Sequence, residues 1–231
     1  MTAEPQPMEQ LAEAASRELD GASAQDILQW ASQTFGERIC VTSSMTDAVI
    51  IHLASALMPG IDVVFLDTGY HFAETTGTRD AVSAMYPVRL VNVTPSRTVA
   101  EQDTELGPRL YARNPDLCCY LRKVEPLEQA LGGYQAWITG VRRDETAERR
   151  GARPVEWDSR REMVKVNPIV SWSGKHIDDY VAEHGIAVNP LLYDGYPSIG
   201  CSPCTHRVAP GEDPRSGRWA GLGKTECGIH F

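Results

Sequence analysis

Two pairs of cysteines stand out as the residues most able to do chemistry. Leu117-Cys118-Cys119-Tyr120-Leu121-Arg122-Lys123 sets adjacent thiols beside two cations, and Cys201-Ser202-Pro203-Cys204 supplies a second pair downstream. Adjacent cysteines do not easily close a disulfide on each other, because that bond wants Cα atoms about 4.4–6.8 Å apart and a trans peptide step spans about 3.8 Å. Metal ligation is therefore the better reading of four thiols in two close pairs. Four thiolates suit a tetrahedral zinc or an iron–sulfur cluster, and a proline inside C-x-x-C favours a tight turn that points both sulfurs one way. The bland alternative is four buried thiols acting as small hydrophobes.

A fifth cysteine has a different setting. The chain ends Lys224-Thr225-Glu226-Cys227-Gly228-Ile229-His230-Phe231, which puts an unpaired thiol beside Lys224 and His230. A thiolate is the nucleophile and nearby cations lower its pKa, so Cys227 is where a reactive cysteine is expected. A further metal ligand is the duller reading, and four thiols already complete a site. Upstream lie Pro210, Gly211, Pro214, Gly217, Gly221 and Gly223, too many breakers for a packed element. They suit a mobile linker carrying Arg215 and Arg218. The expected division is a body over residues 1–206 and a flexible catalytic tail over 207–231.

The elements that must position these groups follow from periodicity. Residues 8–35 carry helical spacing in two stretches broken near Gly21. Arg38 to Thr42 reads as a buried strand, followed by Ser43-Ser44-Met45-Thr46-Asp47 and an apolar helix from Ala48 to Met58. A hydroxyl-rich turn at a helix N-terminus can hold a phosphate or can simply cap the helix. The pattern repeats as Asp62 to Leu66, the turn Asp67-Thr68-Gly69-Tyr70-His71, and a helix from about Phe72 to Met85. Further strands are expected at Val88–Val93, Ala136–Val141 and Met163–Val170, and Ser173 caps a helix from Gly174 to about His184. Strands alternating with helices imply an α/β fold with an open parallel sheet, flanking helices and a ligand crevice at the carboxyl ends of the strands. Ser43, Ser44, Thr68, Gly69 and Gly140 lie at those ends. Between 142 and 161 seven arginines face only five acids, so most pair with their neighbours, and one or two, with Arg142, Arg143, Arg149 and Arg150 the candidates and Arg150 the one chosen, reach an anionic ligand. Cys40 and His52 read as core or satisfied residues.

At 231 residues and 42% hydrophobic, the chain can bury a full core, most simply as one domain. The start, Met1-Thr2-Ala3-Glu4-Pro5-Gln6-Pro7, has neither a basic stretch nor an apolar run, and no segment reaches membrane-spanning length. A cytoplasmic location is expected, where thiols stay reduced. Residues 1–37 carry −6 of the net charge of −9, so any anion binds in the later part. No concentrated basic face marks a nucleic-acid partner.

These motifs are shared with a known family. The chain from about Ser43 onward resembles the assimilatory adenylyl-sulfate reductases, the iron–sulfur branch of the phosphosulfate reductases. The resemblance rests on Cys118-Cys119, Cys201-x-x-Cys204, Arg215-Ser216-Gly217-Arg218-Trp219 and Glu226-Cys227-Gly228-Ile229-His230. It implies an adenine nucleotide alpha-hydrolase-like fold and a [4Fe-4S] cluster on Cys118, Cys119, Cys201 and Cys204, with Lys123 close by. It implies adenylyl sulfate as substrate, since branches that use the 3′-phosphorylated nucleotide generally lack both cysteine pairs. Ser43-Ser44-Met45-Thr46-Asp47 lacks the paired glycines of pyrophosphatase loops, which fits a relative that no longer cleaves ATP. The implied reaction is thiolate attack by Cys227 on the sulfuryl group, with Lys123, Arg215, Arg218 and His230 offsetting its charge. Thioredoxin or a similar dithiol protein would then release sulfite. The rivals are a reductase that also takes the 3′-phosphorylated substrate, a sulfur-inserting tRNA enzyme of the same superfamily, and a zinc-binding structural module. Homo-oligomerisation is left open.

Overall fold

The computed structural model describes residues 7–230; the first six residues, inspected for a leader, and Phe231 lie outside it. Strands β1 (Ile39–Thr42), β2 (Asp62–Leu66), β3 (Arg89–Val93), β4 (Ala136–Ile138), β5 (Val155–Asp158) and β6 (Met163–Val166) form one sheet in the order β3-β2-β1-β4-β6-β5. All neighbours are parallel except β5, which runs antiparallel to β6 at the edge. The sheet is the open, mostly parallel one expected, with one antiparallel strand at its edge. That strand arises where the arginine-dense segment folds back as a hairpin, with Glu162 taking a positive φ of 51° just before β6.

The inner strands are short and apolar because helices cover both of their faces. Alternate residues serve opposite layers. Ile39, Val41, Val63, Phe65, Ala136 and Ile138 join one core with helices α1 (Met8–Glu18), α2 (Ala24–Phe35) and α3 (Val49–Leu57). Cys40, Val64 and Trp137 face the other layer, against Leu127 and Leu131 of a later helix. Cys40 is thus a core residue, as its strand position implied, and burial first, then Asp62, pushes its thiol well above the ordinary range. The break between α1 and α2 falls at Gly21, and Ser23 caps α2 by accepting from Asp26 N at 3.1 Å.

Helix α4 (Ala73–Met85) follows β2, and α5 (Val99–Leu106), α6 (Leu110–Arg113), α7 (Pro115–Cys119) and α8 (Glu125–Leu131) fill the crossover from β3 to β4. Asn114 caps α7 by accepting from Leu117 N at 3.0 Å, and Pro115 begins it, where a missing N–H costs nothing. Between α7 and α8 the chain widens into a π-helical turn, Tyr120–Val124, in which Glu125 N reaches the Tyr120 carbonyl five residues back. Pro126 cannot donate to the carbonyl four residues before it, which favours such a widening just ahead of it.

Helix α9 (Gly174–His184) begins at the Ser173 cap, and its residues pack on α3. Strands β4 and β6 end earlier than their apolar runs suggest. At their ends Thr139 donates to Asn167 Oδ1 at 2.6 Å, and both chains leave the sheet there. Among the described residues no helix is long and apolar enough to cross a membrane.

Candidate active site

The strand order reverses between β1 and β4, and a crevice opens at the carboxyl ends there, as such sheets require. Its volume is about 1020 Å³, enough for a nucleotide-sized ligand. Ser43 and Ser44 line it from the end of β1, Thr68 from the end of β2, and Thr139 and Gly140 from the end of β4.

The Ser43–Asp47 loop is tied down from inside. Ser43 Oγ accepts from Met45 N at 3.1 Å, and Met45 is buried with a φ of 58°, a strained value for a side-chain-bearing residue. Buried Asn189 holds that strain in place by donating to Met45 O at 3.2 Å and Thr75 Oγ1 at 3.0 Å and by accepting from Leu191 N at 3.1 Å. The helix cap is neither Ser nor Thr. Asp47 Oδ1 takes Val49 N at 3.0 Å, so the chain's own carboxylate stands at the start of α3. Burial, with Glu145 and Asp178 adding to it, raises the Asp47 pKa despite the Val49 N–H and Arg142.

Two of the residues expected at the ligand lie elsewhere. Gly69 is outside the crevice; its φ of 72° forms the turn after β2, and an added Cβ would stand 3.0 Å from Arg122 Nη2. Arg150 is exposed and also outside, and its neighbour Arg149 is the buried one that lines the crevice. The run of arginines was visible in the sequence, but which of two adjacent ones turns inward depends on the turn at Thr146–Ala152, where no helical or strand period marks the inner face.

The four paired thiols come together. Cys118, Cys119, Cys201 and Cys204 are all buried and line one small pocket beside the crevice, with Lys123 and Trp219 forming walls of both. Residues 118 and 119 arrive at the end of α7, and residues 201 and 204 on a tight 3₁₀ turn, Ser202–Cys204, in which Cys204 N donates to Cys201 O at 3.0 Å. The hydroxyl of Thr68 lies 3.3 Å from Cys201 Sγ, so this residue touches the thiol pocket as well as the crevice. Burial first, then the neighbouring thiols, pushes Cys118 up to about 12 and Cys204 up to about 11. Bare, Cys118 and Cys204 stay protonated at neutral pH, and a metal centre would have to displace those protons. The four thiols line one shared space. Four cysteine thiolates are a donor set that fits a [4Fe-4S] cluster.

Arg122, overlooked as a structural residue, is buried behind the pair. It donates to Thr68 O and to Gln102 Oε1 at 3.1 Å, and its guanidinium lies over the Tyr70 ring at 5.3 Å. Lys123, the next residue, faces the other way into the crevice. Burial lowers its pKa, and Cys201, Cys227 and Cys119 around it more than offset this when they are ionised.

The tail is rich in breakers, as its sequence implies, yet it is docked. Arg218 bridges back to Thr205, Trp219 N donates to Cys204 O at 3.0 Å, and Trp219 is buried. Cys227, Arg215, Arg218 and His230 all line the crevice. Arg218 donates to Ser198 Oγ at 3.1 Å and Ile199 O at 3.2 Å and stacks over Trp219, while its Nε is buried with no partner among the described residues. Burial, then Arg215, lowers its pKa. His230 stacks on Trp137 with ring centroids 5.8 Å apart and planes within 8°. Burial first, then Lys165, Arg149, Arg161 and Arg215, pushes its pKa well below the usual value, so the ring is neutral. It can offer a hydrogen bond to a ligand, which corrects its expected part as a cation.

The comparisons fit this arrangement. The sequence signature described as "Phosphoadenosine phosphosulfate reductase domain" matches residues 38–207, and the chain belongs to that family. An "Adenosine 5'-phosphosulfate reductase" from Streptomyces coelicolor is 61% identical over 95% of this chain and 93% of its own length. One of the same description from Mycolicibacterium smegmatis is 56% identical over 96% and 94%. Among solved structures, the phosphate complex of phosphoadenylyl-sulfate reductase from Candida auris matches with a TM-score of 0.71 at 28% identity, covering 85% of this chain and 96% of that one. The fold is therefore that of the adenine nucleotide alpha-hydrolase-like reductases, and the class is oxidoreductase acting on a sulfur group.

Proposed function

We propose that the protein reduces adenylyl sulfate to sulfite and AMP in sulfate assimilation, by way of an S-sulfocysteine on Cys227. The observation that carries this reading is the position of Cys227 on the crevice wall with Lys123, Arg215 and Arg218, directly beside the four-thiol pocket. A sulfuryl group bears three charge-sharing oxygens, further negative charge grows on the bridging oxygen as AMP departs, and fixed cations offset both without reorganising. Attack by the Cys227 thiolate forms an S–S bond and breaks the S–O bond, with the electron pair leaving on AMP. A dithiol protein of the thioredoxin kind then attacks Cys227 Sγ, sulfite departs with the S–S electron pair, and the donor's second thiol closes its disulfide and frees Cys227. Sulfur is reduced by two electrons and the dithiol is oxidised by two.

Cys118, Cys119, Cys201 and Cys204 would hold a [4Fe-4S] cluster, which, fully ligated by cysteine, supplies structure and a local field and offers no open iron. Lys123 borders both spaces and would stand between such a cluster and the crevice. A cytoplasmic setting, where the donor and these thiols stay reduced, suits such chemistry. The tail, docked here, has to open for a second protein to reach Cys227, and a body over 1–206 with a moving tail over 207–231 is the arrangement that permits it.

The test is a reaction without donor. The enzyme should release about one AMP per subunit and stop, as expected of a two-step covalent route. Mass spectrometry should find a sulfonate on the peptide containing Cys227, and reduced thioredoxin should remove it as sulfite. A label on Cys40 or a paired cysteine, or sulfite released in the first turnover with no thiol present, would overturn the mechanism.

A further inference from the structure

A thiol that sits over the crevice and later leaves it needs a docking contact that is strong when made and tolerable when broken. Glu226, one residue before Cys227, makes such a contact. Its Oε1 accepts from Arg149 Nε at 2.8 Å and its Oε2 from Arg149 Nη2 at 2.9 Å, a bidentate pair across 77 residues of sequence. Arg215 Nη2 lies 3.3 Å from the same Oε2, and the Thr146 hydroxyl donates to Oε1 at 3.4 Å. The Arg149 and Glu226 side chains are only 9% and 10% exposed, so solvent and salt screen the pair weakly. Two contacts of the neighbouring residues are looser: Lys224 meets Asp116, which is 81% exposed, and Thr225 meets exposed Glu148.

The socket is built before the plug arrives. Arg149 Nη1 is held by Glu145 at 2.6 Å, one helical step back on the body's own loop. When Glu226 leaves, Arg149 keeps one carboxylate, so opening does not strand an unpaired buried charge, which is the costly case. A single partner would make the tail hard to release; two partners make the second one exchangeable.

We propose that Glu226 is the positioning residue for the nucleophile: its bidentate pair with Arg149, preset by Glu145, sets Cys227 over the crevice, and breaking that pair frees the tail for the donor. The effect on rate rests on the function proposed above, whereas the docking contact does not depend on it.

The experiment uses anaerobically purified, iron-replete protein as wild type, Glu226→Gln and Glu226→Asp, with iron content and melting temperature confirming the fold. Trypsin cleavage after Lys224 reports undocking without any chemistry. Single-turnover AMP release reports positioning, and AMP affinity reports the nucleotide site. Losing a charge-assisted bidentate pair should speed cleavage by about tenfold or more in Glu226→Gln and slow single turnover by about tenfold to a hundredfold. AMP affinity should stay within about twofold, and Glu226→Asp should recover most of both losses because the charge remains. Cleavage unchanged in Glu226→Gln, or AMP affinity falling as far as the rate, would overturn the proposal. A wild type that never carries sulfonate on Cys227 would sink the covalent mechanism while leaving the cleavage result to decide the latch.

Discussion

At the scale of single residues, six cysteines divide by surroundings. Cys118, Cys119, Cys201 and Cys204 share one buried pocket, Cys40 is sealed in β1, and Cys227 alone among the described cysteines lines the crevice. Serine at any of the four paired positions should remove iron and activity together, because one missing thiolate leaves an iron incompletely ligated. Cys227→Ser should keep its iron and visible absorption and lose turnover; loss of iron there would break the division. His230 gives a pH prediction. Lys165 from β6, Arg149 and Arg161 from the loops and Arg215 from the tail all face it, and with burial they keep the docked ring neutral. In an open tail the ring regains an ordinary pKa of about 6.5. Above that pH both forms are neutral. As pH falls through about 6.5 the open form binds a proton that the docked form refuses, so docking weakens by up to about tenfold per pH unit. Tail cleavage by trypsin, normalised to an unstructured peptide, should rise on acidification in wild type and stay flat in His230→Gln.

At the scale of elements, the Ser43–Asp47 loop depends on a residue far away in sequence. Asn189 is fully buried and satisfies Met45 O, Thr75 and Leu191 N at once. Asn189→Ala leaves these groups unpaired and should cost about 2–4 kcal/mol of stability. AMP affinity should fall with it, since the strained loop borders the nucleotide's crevice; a thermal-shift series with and without AMP measures both. The inner strands were legible because apolar runs such as Val63-Val64-Phe65 have no other use in a chain of this composition. The edge strand Val155–Asp158 was not, because half-exposed Glu156, Trp157 and Asp158 lie between Arg153 and Arg160 in a stretch that resembles a solvated loop. The helices at 99–131 were equally hidden, being short and weakly amphipathic. Both thiol pairs were legible as chemistry from spacing alone, while their shared pocket with Lys123 required the fold.

At the scale of the whole molecule, the tail was legible as breaker-rich and illegible as docked, because its anchors are scattered along the chain, at Asp116, Trp137, Arg149, Lys165 and residues 198–205, joined by no local period. A chain ending after Trp219 should still assemble its iron and bind AMP within a few-fold of wild type, since all four paired thiols and the strand ends remain. It should show no turnover, and loss of iron from it would refute the separation of body from tail. The π-helical turn at Tyr120–Val124 has a consequence of its own. One extra residue wound into a helix rotates the downstream turns by about 100° relative to the upstream ones. Cys118 and Cys119 must face the thiol pocket while Leu127 and Leu131 face the sheet, and an unbroken α-helix of the same length would present one set correctly and swing the other out of phase. The wide turn is thus a phase corrector that lets a redox-family site and an ordinary hydrophobic core share one rod. Inserting or deleting a residue between Cys119 and Leu127 should detune thiol pocket and core together, whereas a substitution there disturbs only one.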